Sequence, residues 1–214
     1  SMRLTMLFAI VLATGLVALS PVRAEEVKLQ HKGLTLNASL EKADASWPAG
    51  PVVLMVHGTL AHNGMEIVTT LQELFADRGV SSLAINLSLG LDDRHGMYEC
   101  QTPHTHKHTD AVDEIAAWLD WLKGRGAERV ALLGHSRGGN QVAWFAAERN
   151  DPPVTHLLLV APATWSAEYA AADYEKRYAT KLAPVVARAE EMVSDGKATL
   201  FMDQVDFIYC EDTQ

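Results

Sequence analysis

The sequence predicts an α/β fold, with a mostly parallel sheet and helices packed on both of its faces. Three observations lead there. Continuous apolar, β-branched runs alternate with stretches of helical periodicity in the order strand, helix, strand, helix, strand, helix, strand, the pattern of βαβ units. Those runs lack the in–out alternation of half-exposed strands, so they belong to a sheet covered on both sides. The 214 residues are 48% hydrophobic and 21% charged, an ordinary globular composition that suffices for one good core.

Ahead of the fold, Arg3 begins a short positive region and Leu4 to Leu19 is almost wholly apolar. Ser20-Pro21-Val22-Arg23-Ala24 then offers small side chains for cleavage after Ala24. Residues 1–24 therefore have the form of a secretory signal peptide, and the expected location is periplasmic or secreted. Read instead as a membrane anchor, the run falls short of the ~20 residues that comfortably span a bilayer.

Val27 to Leu40 alternates apolar with polar residues around Lys32-Gly33, which predicts an N-terminal hairpin with one face in water. Ala43 to Gly50 is a loop. Pro51 to Val56 is a buried strand that stops abruptly at His57-Gly58-Thr59. Met65 to Arg78 carries a helical stripe of Ile67, Leu71, Leu74 and Phe75, closed by Gly79. Val80 to Leu87 is the second buried strand. Asp110 to Lys123 is a helix with Val112, Ile115, Ala116, Leu119 and Leu122 inward, and Asp110, Asp113 and Glu114 suit its positive N-terminal end. Arg129 to Leu133 is the third buried strand, Asn140 to Arg149 a helix, and Val154 to Val160 a fourth strand stopped by Ala161-Pro162. The core thus spans 25–164. In 165–214, Tyr169, Tyr174, Tyr178, Leu182, Val185, Val186 and Met192 fall on predicted helices, either a cap over the site or core residues of a helix covering the sheet.

In sheets of this kind chemistry sits at the carboxyl ends of the strands, where His57 and Ser136 both fall. Gly134-His135-Ser136-Arg137-Gly138 matches G-x-S-x-G directly after a buried strand and directly before a helix. The turn is so sharp that a side chain at either glycine would strike a neighbour, and the serine is held strained with its hydroxyl in the cleft. Acyl transfer also needs an oxyanion hole. One amide comes from the residue after the nucleophile, Arg137, and the other from the loop after an earlier strand, Thr59 or alternatively Leu60. Leu60 and His135 are expected to border the substrate. His57 reads as a residue that shapes its loop rather than as a base.

The ordered pair His57-Gly58-Thr59 and Gly134-His135-Ser136-Arg137-Gly138-Gly139 resembles the α/β-hydrolase superfamily. The segment from Asn86 to Tyr98 is similar to that of a little-characterised group of exported bacterial members. The resemblance implies hydrolysis of an ester or related acyl bond by a Ser–His–Asp/Glu triad, with a small-molecule acyl substrate and no metal or cofactor. The triad order is serine, acid, histidine, yet His156 is the only histidine after Ser136 and begins its strand at the far end. The acid, the base and the last strands are therefore expected beyond Gln214, and the chain as it stands is expected to turn over negligibly. A hydrolase-like binding protein without a base, and an acyltransferase on the same fold, are the competing readings.

The formal net charge of −9, with no Lys/Arg cluster, argues against nucleic acid and anionic lipid as partners. In an oxidising compartment two cysteines, Cys100 and Cys210, suggest one disulfide, the alternative being two separate buried thiols. His95, Cys100, His104, His106 and His108 crowd one stretch and invite a metal reading; a polar loop beside the site mouth is the expected one.

Overall fold

The structure, a computed structural model, describes residues 24–99, 101–149, 151, 153–203 and 205. Residues 1–23 of the expected leader, Cys100 and Cys210 lie outside the described residues, as does the bridge expected between the two cysteines.

The strands β1 (Glu25–His31) and β2 (Leu34–Glu41) form an antiparallel hairpin. Lys32 and Gly33 join them with φ of 48° and 81°, the positive pair that suits a two-residue turn to strand twist. β1 is the solvent-facing edge, whereas β2 pairs antiparallel with β4 and is mostly buried. The in–out alternation read from the sequence is therefore chiefly that of β1.

Next come β3 (Val52–Val56), α1 (Glu66–Ala76), β4 (Ser81–Asn86), α2 (Asp110–Gly124), β5 (Val130–His135), α3 (Arg137–Glu148) and β6 (Val154–Val160). The sheet order is β1-β2-β4-β3-β5-β6, with β4, β3, β5 and β6 parallel to one another. Successive side chains of a strand face opposite ways, and both faces here are covered. Val52, Leu54 and Val56 enter a large core with Ile115, Trp118, Leu119 and Leu122 of α2 and Val142 and Phe145 of α3. Val53 and Met55 enter a smaller one under Val68, Leu71 and Phe75 of α1. This is why the sequence runs are apolar without interruption.

α1 closes with Gly79 N–H on Ala76 O and Val80 N–H on Phe75 O (2.9 Å each), which needs the left-handed φ of 72° at Gly79. Leu74, expected in the buried stripe, is 45% exposed. The inward face centres on Val68 and Gln72, and at 100° per residue Leu74 lies about 120° round from Val68. Gln72 is buried because its amide donates to Ser39 O and Ser82 Oγ (3.1 Å each).

α3 starts at Arg137, three residues earlier than the periodicity suggests, because Gly138 and Gly139 are themselves helical. α4 (Ala167–Tyr178), capped by Ser166 Oγ accepting from Tyr169 N–H (3.2 Å), packs against α5 (Leu182–Ser194). Of the apolar stripe on this pair only Tyr174 is buried, its ring 4.8 Å from that of Tyr178, so the stripe is not a core face among the described residues. Leu157, Leu158 and Leu159 of the outer strand β6 are likewise exposed. No helix among the described residues is long and apolar enough to cross a membrane.

Candidate active site

The carboxyl ends of β3 and β5 meet at Ser136. It links β5 to α3 with φ 53° and ψ −119°, a conformation that costs a non-glycine residue about 1–3 kcal/mol. Its backbone is held on both sides: Ser136 N–H donates to Val160 O (3.0 Å), and Ser136 O accepts from Gly139 N–H (3.0 Å) and Ala163 N–H (2.8 Å). The two motif glycines are steric necessities. A Cβ at Gly134 would lie 2.2 Å from Gly138 O, and one at Gly138 would lie 2.4 Å from both Val56 O and His57 O.

The loop after β3 passes beside the serine, since a Cβ at Gly58 would stand 3.3 Å from that of Ser136 and 3.5 Å from Nδ1 of His135. Gly58 to Ala61 form a turn in which Ala61 N–H donates to Gly58 O (3.3 Å), so the turn bond consumes neither the Thr59 nor the Leu60 amide. Leu60 has φ 51°, held there by packing among Tyr98, Leu89 and Leu91 and by Tyr98 N–H on Leu60 O (2.9 Å). Ser136, Arg137, Thr59, Leu60 and His135 are thus brought together, with Arg137 the first residue of α3. His156 pairs with Ala131 near the opposite end of β5, well away from Ser136.

His57 is 1% exposed. Its Nε2 faces two donors, Leu87 N–H (3.1 Å) and Arg94 Nη2 (3.2 Å), and so accepts; the proton therefore sits on Nδ1, which donates to Gly58 O (2.9 Å). Burial lowers its pKa from 6.5 to about 3, aided by the Arg94 charge, so the ring is neutral and fully bonded, as befits a loop-shaping residue. A stability effect follows. Above pH 6.5 both states are neutral and the full contribution is present. As pH falls from 6.5 towards 3 the unfolded chain takes up a proton the folded one refuses, and stability drops by up to about 1.4 kcal/mol per pH unit. Burial holds His106 near 4, which acts in the same direction. Urea unfolding between pH 4 and 7.5 should show this slope, and His57→Gln should flatten it by about one proton's worth.

Behind the loop lies a cavity of about 20 Å³, room for roughly one water, walled by Thr59, Leu60, His106, His108, Glu114 and Arg137. Ser136 is not on its wall. Glu114, which the sequence placed at the helix end as a dipole partner, is buried; its carboxylate accepts from Ser88 N–H (2.9 Å) and Ser88 Oγ, and burial raises its pKa. His108 Nε2–H donates to Asn140 Oδ1 (2.8 Å) while Nδ1 accepts from Arg137 Nε (2.8 Å), which pins the Arg137 side chain to the cavity wall. Desolvation lowers the pKa of His108, and the Arg137 charge acts in the same direction.

The described histidines of this stretch divide among different partners, although His104 and His106 lie together (ring centroids 5.3 Å). His104 and His106 stack with Tyr98 (ring centroids 4.6 and 5.3 Å), His108 turns to Arg137 and Trp144, and His95 lies exposed with Nε2 2.6 Å from Glu26. Among the described residues one group, Glu26, Asp93 and His95, brings three potential ligand atoms within 4.8 Å. Lys28 Nζ lies 2.5 Å from Asp93 and 3.2 Å from Glu26, so one ammonium already pairs with both carboxylates.

The sheet order, the strained serine between β5 and α3, and the β3 loop beside it are those of an α/β-hydrolase. Residues 48–205 match the family described as serine aminopeptidase, S33, and the chain belongs to that family. It is 31% identical over 121 residues to a probable 1-acylglycerol-3-phosphate O-acyltransferase of Oryza sativa subsp. japonica, covering 55% of this chain and 27% of that protein. Its fold is similar to that of Est1E from Butyrivibrio proteoclasticus with ferulic acid bound (TM-score 0.57, 24% identity, 68% of this chain and 56% of that one). It is also similar to the α/β hydrolase GrgF from Penicillium sp. sh18 (TM-score 0.57, 21% identity, 81% and 55%). The chain spans about a quarter of that curated relative and about half of each solved structure.

Proposed function

We propose that the full-length protein is a serine hydrolase that cleaves a carboxylic ester or related acyl bond of a small molecule through an acyl-enzyme on Ser136. The observation that carries this reading is the strained Ser136, seated beside the Gly58–Ala61 turn at the head of a parallel sheet. Ser136 Oγ attacks the acyl carbon while a base takes its proton. The amides of Arg137 and Thr59 receive the oxyanion, the alcohol leaves with a proton, and water then releases the acid. Leu60 and His135 border the substrate. The base is neither His57, whose nitrogens are both engaged, nor His156, at the far end of its strand; it belongs to a segment later than Ser136. Family membership supports the hydrolase class, and the leader-like residues 1–24 support a periplasmic or secreted location.

The acyltransferase relative favours a second reading, in which an alcohol acceptor replaces water in the last step. The deciding experiment is labelling of the full-length protein with a fluorophosphonate. Covalent capture that disappears in Ser136→Ala supports the proposal, and acyl transfer to added glycerol in preference to water would select the second reading. An unlabelled wild type, or labelling that survives Ser136→Ala, refutes both and leaves a hydrolase-like binding protein.

A further inference from the structure

We infer that Arg94 is a positioning residue for acyl transfer, orienting the Thr59 amide through His57 and the Gly58–Ala61 turn. The inference rests on the function proposed above.

Arg94 stands in the polar loop after β4, yet it is 6% exposed. Its guanidinium reaches five acceptors. Nε donates to Leu87 O (2.7 Å), Nη1 to Gly96 O (2.6 Å), and Nη2 is shared among Ala61 O (2.9 Å), Asn86 Oδ1 (3.1 Å) and His57 Nε2 (3.2 Å). Its own carbonyl accepts from Asn37 Nδ2 (2.9 Å) and Asn86 Nδ2, which anchors the loop to β2 and β4. None of these hydrogen-bond partners is a carboxylate; the compensating charge is that of the buried Glu114, acting through space. A buried cation is ordinarily paired, because desolvating a lone charge is expensive, and burial here lowers the arginine pKa to about 10. Such a residue is a costly way to stabilise a loop and an effective way to aim one.

What it aims can be followed bond by bond. Arg94 Nη2 and Leu87 N–H both point at His57 Nε2, which forces the ring proton onto Nδ1. Nδ1–H donates to Gly58 O, and Ala61 N–H donates to the same oxygen. In a trans peptide the C=O and the following N–H point opposite ways, so a Gly58 carbonyl held from two sides turns the Thr59 N–H outward from His57. Arg94 Nη2 on Ala61 O and Tyr98 N–H on Leu60 O hold two further carbonyls of the turn. The cation does a second thing: beside it His57 cannot accept a proton on Nε2 without like-charge repulsion, so the tautomer that supplies the Gly58 bond persists.

The test uses full-length wild type, Arg94→Gln and Arg94→Lys with a p-nitrophenyl ester of a short fatty acid, normalised to folded protein. Misaiming one oxyanion donor should lower kcat in Arg94→Gln by about 30- to 100-fold, somewhat less than removing such a donor outright, with KM within about threefold. The rate of fluorophosphonate capture should fall in parallel. Arg94→Lys keeps the charge without the planar fork and should fall between, and it carries the test if Arg94→Gln does not fold. Unchanged kcat in a folded variant of an active enzyme overturns the inference alone, as does a loss that merely tracks the unfolded fraction. An inactive wild type whose Ser136 is not captured overturns both it and the proposed function.

Discussion

Replacing Ser136 by glycine is expected to give a more stable protein that lacks the proposed hydrolysis, while alanine removes that activity without the gain. Under the proposed function both substitutions delete the attacking oxygen, and loss of a serine nucleophile in a triad costs on the order of 10⁶ in kcat. Their effects on folding differ for a reason visible in the backbone. Ser136 sits at φ 53°, ψ −119°, where any Cβ is strained and only glycine is at ease. The bonds that impose this conformation, to Val160 O and from the amides of Gly139 and Ala163, are all backbone and survive either change. Relief of strain contributes about 1–3 kcal/mol, and the extra freedom of glycine in the unfolded chain offsets about 0.5–1 of it. Ser136→Gly should therefore exceed Ser136→Ala by about 1 kcal/mol in urea unfolding at constant m. Equal midpoints would mean that the serine carries no strain.

The strands and the elbow were legible because each is written in short-range chemistry. Pro51–Val56, Val80–Leu87 and Arg129–Leu133 are apolar without interruption because both faces of β3, β4 and β5 are covered, and all three became strands within two residues of their expected limits. Gly134 and Gly138 flank Ser136 because backbone approaches within 2.4 Å of where their Cβ atoms would be, so the spacing itself encodes the turn. Leu74 was misplaced because a stripe of four apolar residues fits two neighbouring rotations of α1, and the choice was made by Gln72, whose partners Ser39 and Ser82 are distant in sequence. Glu114 left a signal that could have been used: it shares a helix face with Ala111, Ile115 and Trp118, and a carboxylate among apolar residues requires a partner, here Ser88. Arg94 left none. Its five acceptors are three backbone carbonyls and two side chains, divided between the end of β3 with its loop and the end of β4 with its loop, which no local pattern announces. The histidines show how little spacing says about partners: His104 and His106 share the Tyr98 ring, whereas His108, two residues on, turns to Arg137 and Trp144.

Gly138→Ala is expected to be among the most damaging single changes in the chain, and a graded series of glycines tests why. A Cβ at position 138 would stand 2.4 Å from Val56 O and His57 O and 2.8 Å from Val56 C. These atoms belong to the end of β3, a central strand bonded to β4 on one side and β5 on the other, so they cannot retreat. The variant must lift α3 from the sheet or break the strand end, and either should cost upwards of about 4 kcal/mol out of a total stability of about 5–15. Gly134→Ala, facing Gly138 O at 2.2 Å, should behave alike. At Gly139 the new methyl would meet Pro162 Cβ at 2.9 Å, Pro162 Cα at 3.0 Å and Gly134 O at 3.1 Å, each wider than the contacts at Gly138, so about 1–3 kcal/mol is expected. Gly124, at the end of α2, has nothing within 4 Å, and alanine there should be neutral or stabilising by up to about 1 kcal/mol. Chemical denaturation should rank the four in that order, and a Gly138→Ala variant as stable as Gly124→Ala would disprove the close approach of α3 to β3. That approach also sets the distance between Ser136 and the loop that starts at His57. The steric demand on Gly138 and the placing of the Thr59 amide are consequences of a single contact, so a partial rescue of folding at this position should not restore turnover.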